Sequence, residues 1–366
     1  ATYLADVPQF LRRYLRSMRD VQRTDGRFPD IAPLGGGFGG LLWGSAGITV
    51  PWECYQQYGD TILLSEHYDA MKRYIQYIID NTIETETNLI VQTRSWGDLC
   101  DWLGLEDEKN DKSLVWEAYF IYDLELMAKM ATVLGKVTDA EWFRELHAAR
   151  KDFFNKTYIE PETGKTLFSA FVPEKKGSHI DIQTSYVLPL AFNIIDEENR
   201  NKVIANLAET VRRENTTDRG QQCPSYSLMT GFIGTSWINK ALSDYGHSDL
   251  AYRLLQQTSY PSWLYSIEQG ATTIWERLNS YTRTDGFGGN NRMNSFNHYS
   301  FGAVGAWMYN YSLGIQRDET FPGFKQFVLK PMPDPTGKMT YARGYYDSMY
   351  GRIESGWKVE SGVIRY

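Results

Sequence analysis

The chain has 366 residues, 42% hydrophobic and 23% charged, an ordinary balance for a globular protein with a sizeable core. The net charge is −7 and no block of basic residues occurs, which excludes the footprint that nucleic acid needs. No run approaches the roughly 18 consecutive apolar residues of a membrane-spanning helix, and the N-terminus lacks the basic start and apolar stretch of a signal peptide.

The first element is a helix from Val7 to Met18, with apolar residues at helical spacing and Arg12, Arg13, Arg16 and Arg19 interleaved. Asp6 is placed to cap it and Pro8 suits its first turn. A long loop follows, ending in the glycine cluster Gly35–Gly40. That cluster is not a phosphate loop, because no strand precedes it and no Gly-Lys-Ser/Thr closes it. Helical patterns then recur at Ile48–Tyr58, Thr61–Asp80, Leu114–Leu134, Asp139–Phe154, Thr184–Phe192, Glu197–Arg213, Phe232–Leu242, Leu250–Gln257 and Tyr299–Leu313. His67 and His147 fall on such patterns and are expected at the surface.

The punctuation alternates. Gly59-Asp60, Gly135-Lys136 and Gly246-His247 each end one helix just before the next, as a glycine C-cap predicts. Between these short turns lie longer loops rich in Trp, Asp and Gly, at 24–46, 92–113, 215–230 and 258–298. Short turns at one end and long loops at the other describe a toroid of helical hairpins with its function in the loops. From about residue 320 the texture becomes β-like, at Phe324–Pro331, Arg352–Val359 and Gly362–Tyr366.

Aromatic residues make up 14%, with 11 Trp, 25 Tyr and 17 Phe. Some must fill the core, but many sit in the loops, where they suit the flat apolar faces of sugars. The sharpest segment is Gln269-Gly270-Ala271-Thr272-Thr273-Ile274-Trp275-Glu276-Arg277. A carboxylate between an indole and a guanidinium at the end of a loop is a candidate general base, although a structural ion pair would look the same. Around it lie Tyr260-Pro261-Ser262-Trp263 and Asn294-Ser295-Phe296-Asn297-His298-Tyr299, which offer stacking surfaces and polar groups for a polyol. The stretch from Ser95 to Leu103 holds Trp96, Asp98, Asp101 and Trp102, and a second aromatic and acidic set runs from Asp25 to Asp30 and through Trp43. Taken singly, each of these acids reads equally as a turn or cap residue. Cys54, Cys100 and Cys223 fit neither a zinc spacing nor a disulfide framework, no metal motif or nucleophile elbow occurs, and no cofactor is expected.

The ordered set of motifs resembles the catalytic domain of the family 78 glycoside hydrolases, the α-L-rhamnosidases. It runs through Phe28-Pro29-Asp30, Trp43-Gly44, Val50-Pro51-Trp52, Asp101-Trp102-Leu103, Thr184-Ser185-Tyr186, Thr230-Gly231-Phe232, Trp275-Glu276-Arg277 and Asn297-His298-Tyr299, and so spans nearly the whole chain. The resemblance implies a mainly α fold: an (α/α)6 barrel at 1–318 with its first hairpin incomplete, then the start of an antiparallel β-sandwich at 319–366. It implies hydrolysis of terminal α-L-rhamnose with inversion, on a rhamnose-containing glycan or glycoside. Glu276 matches the general base. Trp43, Asp101, Trp102, Trp263, Arg277 and His298 match or adjoin the substrate-binding positions. The family's general acid lies in an Asp/Glu-Arg-Leu-Gly-Trp-type motif just ahead of the first helix, and this chain holds none. The resemblance therefore implies that segments of the same polypeptide are missing at both ends, and that this chain alone is inactive or nearly so. Ser45 stands where the family often carries Asp after Trp-Gly. A fucosidase or glucuronyl hydrolase on the same toroid, and a non-catalytic glycan-binding protein, are the competing readings.

Overall fold

The computed structural model describes residues 2–37, 39–92, 99–288 and 293–366. Helices dominate up to residue 312 and fall into two populations. The first comprises α2 (Ala46–Tyr58), α4 (Lys112–Val133), α6 (Gln183–Ala191), α8 (Phe232–Thr235) with α9 (Ile238–Asp244), and α12 (Val304–Trp307), and it lines the axis of a toroid. The second, α1 (Pro8–Asp20), α3 (Thr61–Thr82), α5 (Val137–Tyr158), α7 (Glu197–Arg212) and α10 (Ser248–Gln256), packs outside. Burial separates them: α4 hides 16 of its 22 residues, whereas α5, of equal length, hides 6. A helix apolar all round is an inner one, and a single apolar stripe makes an outer one. A short helix, α11 (Trp263–Glu268), stands in the loop before α12.

Local chemistry sets the boundaries. Asp60, Asp111 and Ser262 cap α3, α4 and α11 by accepting the backbone N–H of Leu63, Ser113 and Tyr265. Gly59 ends α2 in the left-handed region with φ 69°. Val7, not Asp6, occupies the N-cap of α1, and no side chain caps that helix. The turns α2–α3, α4–α5, α6–α7 and α9–α10 are short and lie at one end. The long loops into α2, α4, α6, α8 and α12 gather at the other. A buried ion pair joins the α4–α5 hairpin, with Arg150 donating through Nε to Glu117 Oε1 at 2.8 Å.

Antiparallel sheets follow the helices. The strands β1 (Asn215–Thr216) and β2 (Gln222–Cys223) form a small ribbon within a helix-leading loop. Ile315–Arg317 (β3) pairs with Phe327–Leu329 (β4), and β3 lies ahead of the expected division at 318/319. Tyr341–Ser348 (β5), Gly351–Glu360 (β6) and Val363–Arg365 (β7) form a three-stranded meander. Leu313, Ile315, Phe324, Tyr346 and Ile353 make a small second core. Among the described residues, no helix is long and apolar enough to cross a membrane.

His67 departs from its expected surface position. It is 1% exposed and stacks on Phe28 with ring centroids 5.6 Å apart, and Gly47 of α2 lies against the Phe28 ring. A side chain at Gly47 would sit 2.3 Å from Phe28, so only glycine lets α2 approach this closely. Burial, with Arg19 nearby, lowers the His67 pKa to about 3. The folded state therefore holds a neutral imidazole where the unfolded chain takes up a proton below its ordinary pKa of 6.5. Stability from this residue is complete above pH 6.5 and is lost as the pH falls toward 3. Between pH 6.5 and 5 the loss is at most about 2 kcal/mol. Urea unfolding across that range is expected to show a shallower pH slope for His67→Phe than for the parent chain.

Candidate active site

Asp101 organises the loop end. Its carboxylate accepts the backbone N–H of Gly231 at 2.8 Å and those of Ile233 and Gly234 at 2.9 Å each, together with the Thr184 hydroxyl. The side chain thus lies across the first turn of α8 and ties it to the loop leading into α4. Burial raises the Asp101 pKa and these four hydrogen bonds pull it back. The residue is 1% exposed. Asp101 has no face toward solvent, and its accepting positions are in use within the protein. Its part is to hold Trp102. The Trp102 carbonyl accepts the Phe232 N–H at 2.9 Å, and Gly104 closes the turn on the Asp101 carbonyl at 2.7 Å. A β-carbon at Gly231 would stand 2.3 Å from both the Asp101 and Trp102 carbonyl oxygens, so the two loops meet at this glycine.

From Trp102 the contacts run to the candidate base. Phe232 stacks on His298 with ring centroids 4.7 Å apart, and His298 stacks in turn on Tyr299, which is 86% exposed. The His298 backbone N–H donates to the Ile274 carbonyl at 2.9 Å. Two residues on, Glu276 donates its backbone N–H to the Ser295 carbonyl, and its Oε2 accepts the Ser295 N–H at 2.8 Å. The Glu276 side chain is held by a backbone donor and is not sealed off, since the residue is half-buried. Trp275, beside it, points inward and packs edge-on against Phe296. Arg277 is half-buried, its N–H donates to Ser280 Oγ at 3.2 Å, and its charge reaches the Tyr260 phenol. Burial pushes that phenol up to about 12, against the pull of Arg277 and Arg219.

Trp43 sits at the same end, just ahead of inner helix α2, and is half-buried. Tyr119 of α4 lies within electrostatic reach of all three loops. Its hydroxyl is pushed upward first by burial, with Asp123, Asp101 and Tyr299 adding to the effect, while the Trp237 indole N–H at 3.2 Å opposes it. Asp101 belongs to the Trp102 loop, Tyr299 follows His298, and Asp123 bonds Ser45 beside Trp43. Beside Tyr119, the rings of Tyr122, Phe192 and Trp237 pack against one another at centroid distances of 4.2–5.4 Å.

Trp263 is 6% exposed, packs in the main core, and donates its indole N–H to the Phe301 carbonyl at 2.8 Å. Trp96 and Asp98 lie outside the described residues. Phe232, Tyr119 and Asp123 were not expected at the site. Phe232 sat within a recognised motif, and Asp123 was signalled only by its place as an acid inside the apolar run Phe120-Ile121-Tyr122-Asp123-Leu124. Among the described residues, no three His, Cys, Asp or Glu side chains gather to hold a metal.

Residues 1–312 match the sequence model of the bacterial alpha-L-rhamnosidase six-hairpin glycosidase domain, and residues 314–366 match that of the bacterial alpha-L-rhamnosidase C-terminal domain. The chain belongs to the bacterial α-L-rhamnosidase family. It is 36% identical over 99% of its length to an alpha-L-rhamnosidase of Streptomyces avermitilis, and 33% identical over 98% to one of Formosa agariphila. Its fold matches the crystal structure of the S. avermitilis alpha-L-rhamnosidase complexed with L-rhamnose at a TM-score of 0.83 and 34% identity, over 98% of this chain. The native Aspergillus terreus alpha-L-rhamnosidase matches at 0.82 and 29%, also over 98%. The chain spans 32% and 36% of the two curated relatives' lengths, and 31% and 39% of the two solved chains.

If Asp101 is the clamp described, Asp101→Ala orphans three backbone N–H groups at once, two of them buried. Unfolding by urea is expected to show a loss of about 3 kcal/mol or more, at about 1–3 kcal/mol for each orphaned group.

Proposed function

We propose that this chain carries the rhamnose pocket and the general base of an enzyme that hydrolyses terminal α-L-rhamnosides with inversion. The supporting observation is the continuous set of contacts from Trp102 through Phe232 and His298 to Glu276, at the open end of a six-hairpin glycosidase domain. The relative solved with L-rhamnose shares this fold over almost the whole chain.

In this reading Glu276 takes a proton from water as the water attacks the anomeric carbon. A carboxylic acid on the other face of the sugar, about 6.5–9.5 Å from the base, protonates the leaving oxygen. The Ser295 N–H fixes one carboxylate oxygen of Glu276 and leaves the other for water. Trp43 and Trp102 supply apolar walls for the sugar ring and methyl group, and His298, held between Phe232 and Tyr299, supplies a polar edge. Arg277 keeps positive charge near the base. Asp101 and Asp123 do not serve as the acid: both are buried, and Asp101 has already spent its oxygens. No residue of this chain is assigned that part. We place the division between barrel and β module just before β3, whose partner is β4.

The test uses the full-length polypeptide that carries this chain, with an aryl α-L-rhamnoside as substrate. Glu276→Gln is expected to lower kcat by about 10²–10⁴-fold, with L-rhamnose affinity retained by calorimetry. A full-length protein that binds rhamnose equally well with Glu or Gln, and turns over in neither form, is a binder and not an enzyme. Turnover confined to fucosides or glucuronides would reject the substrate.

A further inference from the structure

Trp43 and Trp102 each adjoin a leucine in the left-handed region, Leu42 at φ 78° and Leu103 at φ 62°. A branched side chain there is strained, and such strain persists only where the surroundings over-determine it. For Leu103 the surroundings are the Asp101 clamp. For Leu42 they are different. Its N–H donates to Ser45 Oγ at 3.3 Å, and Ser45 Oγ lies 2.6 Å from Asp123 Oδ2. Ser45 occupies the N-cap of α2, where a serine hydroxyl ordinarily accepts a helix N–H. Here it makes no such bond and turns to the carboxyl of α4 instead.

We infer that Asp123, acting through Ser45, is the positioning residue that fixes Trp43 in the sugar-binding wall. Three observations converge on this. Ser45 and Asp123 are both 0% exposed, so the link between α2 and α4 is not exchanged with water. The other Asp123 oxygen has no partner among the described residues, a cost that packing alone would not call for, since an apolar side chain would fill the place without it. Burial also pushes the Asp123 carboxyl well above the usual range, which favours its neutral, hydrogen-bonding form. Released from Ser45, Leu42 is free to leave the left-handed region and carry Trp43 with it.

The inference rests on the proposed sugar contact of Trp43, and the experiment separates the two. In the full-length polypeptide, L-rhamnose affinity is measured by calorimetry, KM and kcat with an aryl rhamnoside, and unfolding by urea, for Trp43→Ala, Ser45→Ala, Asp123→Asn and Asp123→Leu. Ser45→Ala is expected to weaken rhamnose binding and raise KM about tenfold, the scale of one misplaced aromatic contact, while kcat stays within about threefold. Asp123→Asn, which keeps the neutral hydrogen-bonding shape, is expected to match the parent, and Asp123→Leu to match Ser45→Ala. If Asp123→Leu fails to fold, Ser45→Ala and Asp123→Asn carry the comparison. Unchanged affinity in Trp43→Ala overturns the sugar contact itself. Weakened affinity in Trp43→Ala with none in Ser45→Ala overturns the positioning link alone. An Asp123→Asn protein as impaired as Asp123→Leu also overturns it, because a neutral mimic would not then suffice.

Discussion

The loop end of the barrel depends on a single carboxylate. Asp101 joins segments 83 and about 130 residues away in the chain, accepting from Thr184 and from the first turn of α8. Burying a charge is costly unless it is hydrogen-bonded on all sides, and this one is. Because α8 is only four residues long, its free N–H groups are most of what it presents, and the carboxylate satisfies two of them together with that of the N-cap Gly231. Fixing α8 fixes Phe232 at its start. Phe232 sets the plane of His298, and the backbone pairing beyond His298 sets the loop that carries Glu276. The candidate base is thus oriented by a residue that never touches it.

The two tryptophans on the site share a device. Each adjoins a left-handed leucine, and each is tied to a buried aspartate, directly for Trp102 and through a serine for Trp43. Loops alone give poor precision. Here they are anchored to inner helices whose side chains are almost wholly buried, so the rigidity of the barrel is passed to the rim. The Tyr119 phenol lies within electrostatic reach of both aspartates, and its ring packs edge-on against Tyr122 and Phe192.

Helical periodicity and glycine punctuation were enough to place the long helices α1 to α7 and α10 within a few residues, because those signals are local. The Phe232–Leu242 pattern instead divides into α8 and α9, and the run after Tyr299 passes through a 3-10 turn, α12 and a wider turn at Met308–Ser312. Those departures follow from packing at the axis, which periodicity does not report. The strand β5 escaped notice because Gly344 interrupts its pattern, yet a side chain there would meet Leu313 at 2.5 Å. Motif order revealed the family. It did not distinguish a tryptophan facing solvent from one, Trp263, whose N–H is already taken by the Phe301 carbonyl. Nor could it tell that Asp101 spends its charge inward. Whether a polar residue serves a ligand or the fold is decided by its partners, and for Asp101 these lie on distant segments.

The aromatic cluster beside Tyr119 has a consequence for the inner helices. Tyr122 comes from α4, Phe192 from the end of α6 and Trp237 from the turn before α9, and the three rings pack on one another. Hairpins distant in the chain therefore share one contact, and a change of bulk at any of the three is felt by the other two.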